Sequence, residues 1–592
     1  MKEAEEFYTS RKAKYSELKN KISKKLIFSS TLRLIVFLSI CASVYFFFGN
    51  INIILPVAAV LIAVFLFLIS RHSDLKKEKD KLLALISINE QELKILKTRD
   101  FSDLPDGKKF DPEDHEYSRD IDLFGKKSFF QFLNRTALKE GKARLAKILL
   151  ANKIVDIEKK QEAIKELASK ADWRQNYSAT ATLVKTETDS KVILNWIRNY
   201  KSFVPKYMRW FPAVFSILSL AVLTIFYFGI IGFFQVLLWF IIGLLITGRF
   251  LKKINELSGT VSRVQDTFQQ YHQLLAFLET EEFESELMKE VKNSITSESK
   301  KASVILQQFS KAIDALDQRN NLIFGIFGNG FLLWDLRQSY RLEKWIEHHH
   351  SAVEHWFEAV ERTDAYNSLG NFTFNHAHYH FPEIMEKGAG ISAKNLGHPL
   401  LDTHKRVNND FIIRGDQFFI ITGANMAGKS TFLRTVALQI LMSNIGLPVC
   451  AESCRYSPIK LITSMRTSDS LGDDESYFFS ELKRLKFIVD NIQTENYFII
   501  LDEILKGTNS TDKAIGSRKF VQRLVGTNST GIIATHDLSL CEISQELEQV
   551  KNFYFDAEIV NDELHFDYHL KTGICQNMNA SFLLRKMKIV EE

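Results

Sequence analysis

Four apolar runs of this chain come in two pairs, and none of them contains Asp, Glu, Lys or Arg. Leu34–Phe48 is followed by Ile51–Ile69, and Trp210–Phe228 by Ile230–Thr247. Apolar surface on this scale has to be withdrawn from water, into protein or into lipid. At a rise of 1.5 Å per residue the runs reach about 22–28 Å, near the thickness of a bilayer's hydrocarbon layer. Gly49-Asn50 and Gly229 provide the turns inside each pair. Each pair therefore predicts a transmembrane hairpin, giving four transmembrane helices, the shortest of which needs its flanks to cross. Lys24, Lys25 and Arg33 precede the first pair, and Arg71, Lys76 and Lys77 follow it. Lys206 and Arg209 precede the second, and Arg249, Lys252 and Lys253 follow it. Under the positive-inside rule both hairpins dip outward and the remainder of the chain faces the cytoplasm, at the cytoplasmic membrane. The competing reading is a set of core helices in a soluble protein, against which the basic bookends argue. A secretory signal does not fit, because the first run starts late and continues into a second.

The rest of the chain has ordinary globular composition. Of 592 residues, 46% are hydrophobic and 25% charged, which excludes a wholly disordered or collagen-like protein. The net charge of +5 is too small to signal nucleic-acid binding by itself, although a local basic surface remains open. Five cysteines at this length make no disulfide framework, and Cys450 and Cys454 lack a second pair for zinc.

Seven segments follow from the texture. Residues 1–33 read as a cytoplasmic N-terminal helix, 34–69 as the first hairpin, and 70–115 as a charged helix and linker. Residues 116–209 are helical, 210–247 form the second hairpin, and 248–385 are again helical. In the third segment Leu82, Ile86, Asn89, Leu93 and Leu96 follow a 4-3-4-3 spacing, either a short coiled-coil seam or an amphipathic helix on its neighbour. Pro105, Gly107 and Pro112 mark the linker. In 386–592 short β-rich runs alternate with helical ones, the mark of an α/β sheet.

The last segment carries the chemistry. Gly423-Ala424-Asn425-Met426-Ala427-Gly428-Lys429-Ser430 fits G-x-x-x-x-G-K-[ST], with an apolar strand leading in and a helical run from Thr431 leading out. Glycines let backbone N–H groups curl around phosphate oxygens, and the helix N-terminus adds its positive end. Lys429 would reach the β- and γ-phosphates of ATP, and Ser430 would ligate Mg²⁺. Tyr497–Leu501 then ends in Asp502-Glu503, a Walker B pattern. Asp502 would hold Mg²⁺, and Glu503 would orient and deprotonate the attacking water. Gly531–Thr535 ends at His536, where the strands' carboxyl ends converge and a γ-phosphate contact is possible.

These residues resemble the MutS family of DNA mismatch-repair ATPases, within the ABC-type superfamily. The family's loop reads G-P-N-M-G-G-K-S-T, against Gly423-Ala424-Asn425-Met426-Ala427-Gly428-Lys429-Ser430-Thr431 here. Its D-E-I-x-x-G-T-[ST] is matched by Asp502-Glu503-Ile504-Leu505-Lys506-Gly507-Thr508-Asn509, and its A-T-H by Ala534-Thr535-His536. Its S-T-F-M-x-E segment is similar to Ser476-Tyr477-Phe478-Phe479-Ser480-Glu481. The resemblance implies a homodimer with composite ATP sites, Ser476 acting in trans on the γ-phosphate, and binding to double-stranded DNA. It also implies that Val407, in Arg406–Asn409, and Tyr568 flank adenine. Upstream, Asp122-Leu123-Phe124-Gly125 and Phe129–Thr136 look like the opening of the family's helical core, and Gly397-His398-Pro399-Leu400 like its G-x-H-P. The fold class expected is multidomain α and α/β: two transmembrane hairpins, an α-helical core and lever domain, and a C-terminal P-loop ABC-type ATPase domain.

Departures from the family bear on function. Its mismatch-reading domain carries a Phe-x-Glu wedge, whereas the residues before Asp120 here are read as a membrane hairpin and charged helix. The second hairpin occupies the region where the DNA clamp is expected. The C-terminal S-Y-G is replaced by Met578-Asn579-Ala580-Ser581. The alternative to a DNA ligand is an ATP-driven motor or scaffold acting on a membrane or protein partner. Transport is disfavoured by the missing L-S-G-G-Q signature and by membrane runs without charges. His348-His349-His350 with His355, and His376, His378 and His380, could suggest metal, but spacing alone does not supply convergent ligand geometry.

Overall fold

A computed structural model describes residues 2–183, 188–296, 301–386, 388, 390–466, 477–506, 508–527, 529–560 and 563–576. Helices dominate up to residue 375, and the sheets lie beyond it.

The first apolar pair is built from two helices much longer than the apolar runs. α1 (Lys2–Phe46) and α2 (Ile51–Thr98) form one antiparallel hairpin. The boundaries expected at residues 33/34 and 69/70 fall inside these helices, because no Gly or helix-breaking turn separates the apolar from the charged part. In α1 the buried positions after Ala4 are Tyr8, Tyr15, Ile22, Ser29, Val36 and Ser43, one every seventh residue. That repeat keeps one narrow face toward α2 along the full length, as in a left-handed coiled coil. The facing seam of α2 runs through Leu75, Leu82, Leu85, Asn89 and Glu92. It shares Leu82 and Asn89 with the expected seam but passes through Leu85 and Glu92 instead of Ile86 and Leu93. The register is set by a polar network. Glu92 accepts from Asn371 at 3.0 Å, from Asn375 at 2.8 Å and from Arg135. Tyr8 donates to Asn375 at 2.8 Å, and Arg174 donates to Asn371 at 2.9 Å. A carboxylate with this many donors tolerates burial that a lone one would not.

The second apolar pair is shorter. α8 (Phe211–Tyr227) and α9 (Phe233–Gly248) are pinned by the Trp239 indole donating to Ser219 at 2.8 Å, with the Phe215 and Trp239 rings stacked 4.7 Å apart. α9 bends by 63° into α10 (Leu251–Thr280). Among the described residues, two helices are long and apolar enough to cross a membrane, α1 and α2, or three if the bent α9–α10 pair counts as one span. The expected four spans are reduced to these because α8 and α9 end within 17 and 16 residues.

Between and after the hairpins lies a helical core. It comprises α3 (Phe129–Leu133), α4 (Lys139–Leu150), α5 (Ile157–Ser169), α6 (Ala171–Thr182) and α7 (Ser190–Asn199), then α10, α11 (Glu286–Ser294) and α12 (Ala302–Asp317). After a further short helix, α13 (Leu322–Leu332), comes α14 (Trp334–Asn375), 42 residues long. The segment 248–385, expected to be helical, is thus divided into α10 to α14, with Asn321 and the left-handed Leu333 breaking it on either side of α13. Phe268, Phe309, Trp345 and Phe357 stack at the centre of the core. α14 passes through it and its successor strand joins the sheets: His380 and Val449 exchange backbone hydrogen bonds of 3.0 and 2.8 Å.

The C-terminal region contains two sheets. The smaller has the order β1-β5-β2-β3, from β1 (Glu383–Ile384), β2 (Ile391–Leu396), β3 (Asn409–Ile413) and β5 (Ser453–Tyr456). The larger has the order β12-β9-β4-β8-β7-β6. Its strands are β4 (Phe418–Gly423), β6 (Lys460–Ser464), β7 (Tyr497–Asp502), β8 (Thr530–Ala534), β9 (Val550–Phe555) and β12 (Leu570–Thr572). β12 alone is antiparallel in it. Strands buried on both faces read as continuous apolar runs, which is why Phe418–Ile421 and Phe498–Leu501 do not alternate. β10 (Glu558–Val560) and β11 (Glu563–His565) make a small ribbon. The helices are α15 (Lys429–Asn444), α16 (Tyr477–Ile492), α17 (Ser510–Gly526) and α18 (Ile543–Glu546). Asp120 ties this region to the helical core, accepting from Arg466 N at 2.8 Å and from Thr463 Oγ1 at 2.5 Å.

Candidate nucleotide site

The site forms where β4, β7 and β8 end. β4 stops at Gly423, whose φ of +148° turns the chain out of the sheet, and Gly428 at φ +103° turns it into α15. A side chain at Gly428 would meet the Tyr568 ring about its Cβ, so this position also sets how closely that ring approaches the loop. Asn425 and Met426 stand exposed at the loop tip, Met426 at a positive φ of +68°. Ala427 is buried beneath them, and Ser430 and Thr431 open the first turn of α15 on the exposed side.

Lys429 is nearly enclosed, at 6% exposure, and its ammonium donates to the Gly423 and Ala424 carbonyls at 2.8 and 2.9 Å. Burial pulls its pKa down, opposed by the charges of Asp502 and Glu503. Ser430 Oγ donates to Asp502 Oδ2 at 2.6 Å. Glu503 follows at φ +50°, with its N–H on the Ala534 carbonyl at 2.9 Å. The left-handed turn swings its carboxylate away from the strand, 3.6 Å from His536 Nε2 and 3.6 Å from Lys506 Nζ. His536 Nε2 is also 3.2 Å from Lys429 Nζ. Burial, then the Lys429 charge, pulls the imidazole pKa below its ordinary value.

The residues expected to share a site from Gly423 to His536 are therefore brought together. Tyr568 is half-exposed, and the Asn409 amide clamps its segment to β3, donating to Tyr568 O at 3.0 Å and accepting from Leu570 N at 2.7 Å. Val407 lies two residues before that clamp and is partly exposed. Ser476 lies outside the described residues, as does Gly507. Two contributors are given no role by the motif reading. Asn409 is the clamp just described, and its asparagine in Arg406–Asn409 is the only sequence hint. Glu481, 2% exposed, accepts from Lys506 N at 3.0 Å and so braces the loop after Glu503 from α16.

The donor set was matched against the groups it is expected to hold. Ser430 Oγ and Asp502 Oδ2 are two hard oxygens side by side, suited to Mg²⁺, which keeps waters and phosphate oxygens and needs few protein ligands. Among the described residues no three His, Cys, Asp or Glu converge as a metal cluster of their own. The histidines at 348–350 and 376–380 follow suit: His376 is buried on the Phe372 ring, 4.3 Å between centroids, and His348 bonds the Lys344 carbonyl of its own helix.

Comparison with known proteins gives a consistent picture for this region. Residues 419–588 match the model of MutS domain V. The human MutS protein homolog 4 is 32% identical over 201 residues, which cover 32% of this chain and 21% of that protein. The DNA mismatch repair protein MutS of Fusobacterium nucleatum is 32% identical over 232 residues, 36% of this chain and 25% of that protein. A DNA mismatch repair protein of Arabidopsis thaliana is 28% identical over 219 residues, 35% and 27% of the two chains. The alignments span about a fifth to a quarter of these relatives. Residues 419–588 thus carry a MutS domain V, and through it the chain is homologous to the MutS mismatch-repair proteins.

Proposed function

We propose that this chain is a membrane-anchored ATPase that binds ATP with Mg²⁺ and hydrolyses it in a homodimer. The observation that carries the reading is the meeting of Lys429, Ser430, Asp502, Glu503 and His536 within hydrogen-bonding or ion-pair reach of their neighbours at one end of a parallel sheet. Lys429 leaves its carbonyl partners to hold phosphate oxygens. Ser430 and Asp502 hold the cation, which when bound neutralises phosphate charge. Glu503 accepts a proton from the attacking water, and His536 and Lys506 fix the direction of its carboxylate. Val407 and Tyr568 flank the base. Ser476 of one protomer reaches the site of the other, as the resemblance to the MutS family implies.

The α1–α2 hairpin is the anchor and crosses the cytoplasmic membrane, with the α8–α9 hairpin beside it. The domain-V region then faces the cytoplasm, on the side of the basic flanks. Double-stranded DNA is the partner suggested by the mismatch-repair relatives. A membrane or protein partner is the second reading, favoured by one feature: α14 starts beside the apolar helices α8 and α13 and runs to the sheets. On either reading, nucleotide-driven movement of the domain-V region is carried along α14.

Equilibrium ATP binding by the purified full-length protein tests the site. Lys429→Ala is expected to weaken it strongly, and unchanged affinity would overturn the assignment. Duplex binding over a salt series separates the partners. A steep salt slope that responds to ATP supports DNA, because phosphate contacts release counterions; absence of binding supports the membrane or protein partner.

A further inference from the structure

The helix α13 is too short to count as a span, yet it presents the same kind of surface as the hairpins. Between Arg319 and Asp335 the chain has no charged residue. Leu322, Ile323, Ile326 and Phe327 are 75%, 71%, 41% and 56% exposed, and their spacing puts them on one side of the helix. In its second half Gly328, Asn329 and Gly330 are buried, and the helix packs there on α9. There the backbones touch: a Cβ on Gly243 would strike the Gly330 carbonyl, and one on Gly330 would strike the Phe240 ring. Phe240 also packs on Phe327 and Phe331, at 5.6 and 5.1 Å between centroids. The exposed face of α13 is thus continuous with the exposed apolar faces of α8 and α9.

Its polar groups are closed internally. Asn321 caps the first turn through Ile323 N and Phe324 N, and Leu333 N–H bonds the Gly328 carbonyl. Asn329 donates to Gly325 O at 2.9 Å and accepts from Asp335 N at 2.9 Å. Arg319 and Asp335 pair at 3.1 Å across the two ends, and the Trp334 indole donates to Ala315 O at 2.6 Å. A segment that satisfies its own backbone is what a hydrocarbon environment demands. Eleven residues span only about 16 Å, so it cannot cross a bilayer of about 30 Å.

We infer that α13 is a half-helix buried in the cytoplasmic leaflet, its Leu322, Ile323, Ile326 and Phe327 face covered by lipid acyl chains, and that it forms the membrane-embedded elbow from which α14 departs. The inference rests on the membrane reading above. The elbow itself is Leu333, fully buried at φ +49°, a conformation a leucine adopts only when its surroundings impose it. A second copy of the chain is a less suitable cover, since the face joins the α8–α9 surface without a polar rim between them.

The test uses full-length protein in liposomes. Cys41, the exposed cysteine among the described residues, is replaced by serine, and a single spin-labelled cysteine is placed at Ile323, at Leu220 in α8 or at Val192 in α7. Collision with oxygen and with a water-soluble nickel complex is then compared. The ratio favouring oxygen at 323 is expected to match that at 220 and to exceed that at 192 several-fold. A water-like ratio at 323 beside a lipid-like ratio at 220 would overturn this inference alone. Water-like ratios at both would overturn the membrane reading beneath it. Protection from both agents at 323, with dipolar broadening between labels, would assign the face to a second copy and also overturn the inference.

Discussion

Ser430 and Asp502 stand 2.6 Å apart, although 72 residues separate them and β8 lies between their strands in the sheet. The contact spans the crevice because Ser430 sits one residue into α15, which leans over β8 toward the end of β7. A hydroxyl and a carboxylate held this way are preorganised for a cation, and the rest of the site is arranged around that pair. The functional consequences can be checked one at a time.

His536 is held between Lys429 and Glu503. Replacing it by asparagine removes a polar partner of charged groups, a loss of about 1.5–3 kcal/mol of transition-state stabilisation, seen in kcat more than in KM. Its imidazole is neutral at pH 7, because burial and the neighbouring ammonium lower its pKa. The acid-side midpoint of the wild-type rate is therefore expected below pH 6.5. A half-loss near pH 6.5 would show an unperturbed histidine.

Tyr568 and Asn409 place the base-binding side. Tyr568→Ala is expected to weaken nucleotide binding by about 1–3 kcal/mol, the worth of one base–aromatic stack, and Tyr568→Phe to retain it. Because Tyr568 is 43% exposed, Tm should hardly move. Asn409→Ala should reproduce part of the affinity loss by releasing the Tyr568 segment.

Glu92 is the centre of the network joining α2, α14 and the helical core. Glu92→Ala leaves the Arg135 and Arg174 charges uncompensated in a buried site, which costs about 3–5 kcal/mol. The expected result is a lower Tm and faster proteolysis near residue 92. An unchanged Tm would contradict the packing described.

Glu361, on α14, has its carboxyl pKa pushed up to about 7, first by burial, with the nearby Glu140 adding to it and a Ser190 hydrogen bond opposing it. In the unfolded chain it ionises near 4.5. Between these values the folded form retains a proton that the unfolded form has lost, so stability declines as pH rises from about 4.5 to about 7 and is level above that. Glu361→Gln should lessen the decline of Tm over this interval while keeping the Ser190 contact, leaving the part that comes from Asp364, also pushed up to about 7 by burial.

Much of the site was readable from sequence because a phosphate-binding loop is local: eight consecutive residues fix Gly423, Gly428, Lys429 and Ser430, and the strand pattern fixes Asp502. What escaped depends on distant partners. The α2 seam passes through Glu92 rather than Leu93 because Arg135, Asn371 and Asn375, far along the chain, make burial of a carboxylate favourable. The Tyr568 segment is set by Asn409, which no local rule singles out. α13 is apolar but only 11 residues long, and Gly330, facing the Phe240 ring, lets it approach α9. The hairpin lengths were misjudged in both directions, since charge-free runs mark where a helix is apolar and not where it ends.

Glu503 is the residue assigned to activate water for ATP hydrolysis in this site. The most direct measurement is steady-state ATP turnover by the full-length protein in liposomes with Mg²⁺, wild type against Glu503→Gln, with ATP binding measured on the same samples. Turnover is expected to fall by about 10²–10⁴-fold while binding is retained. Turnover equal to wild type in Glu503→Gln would contradict this assignment.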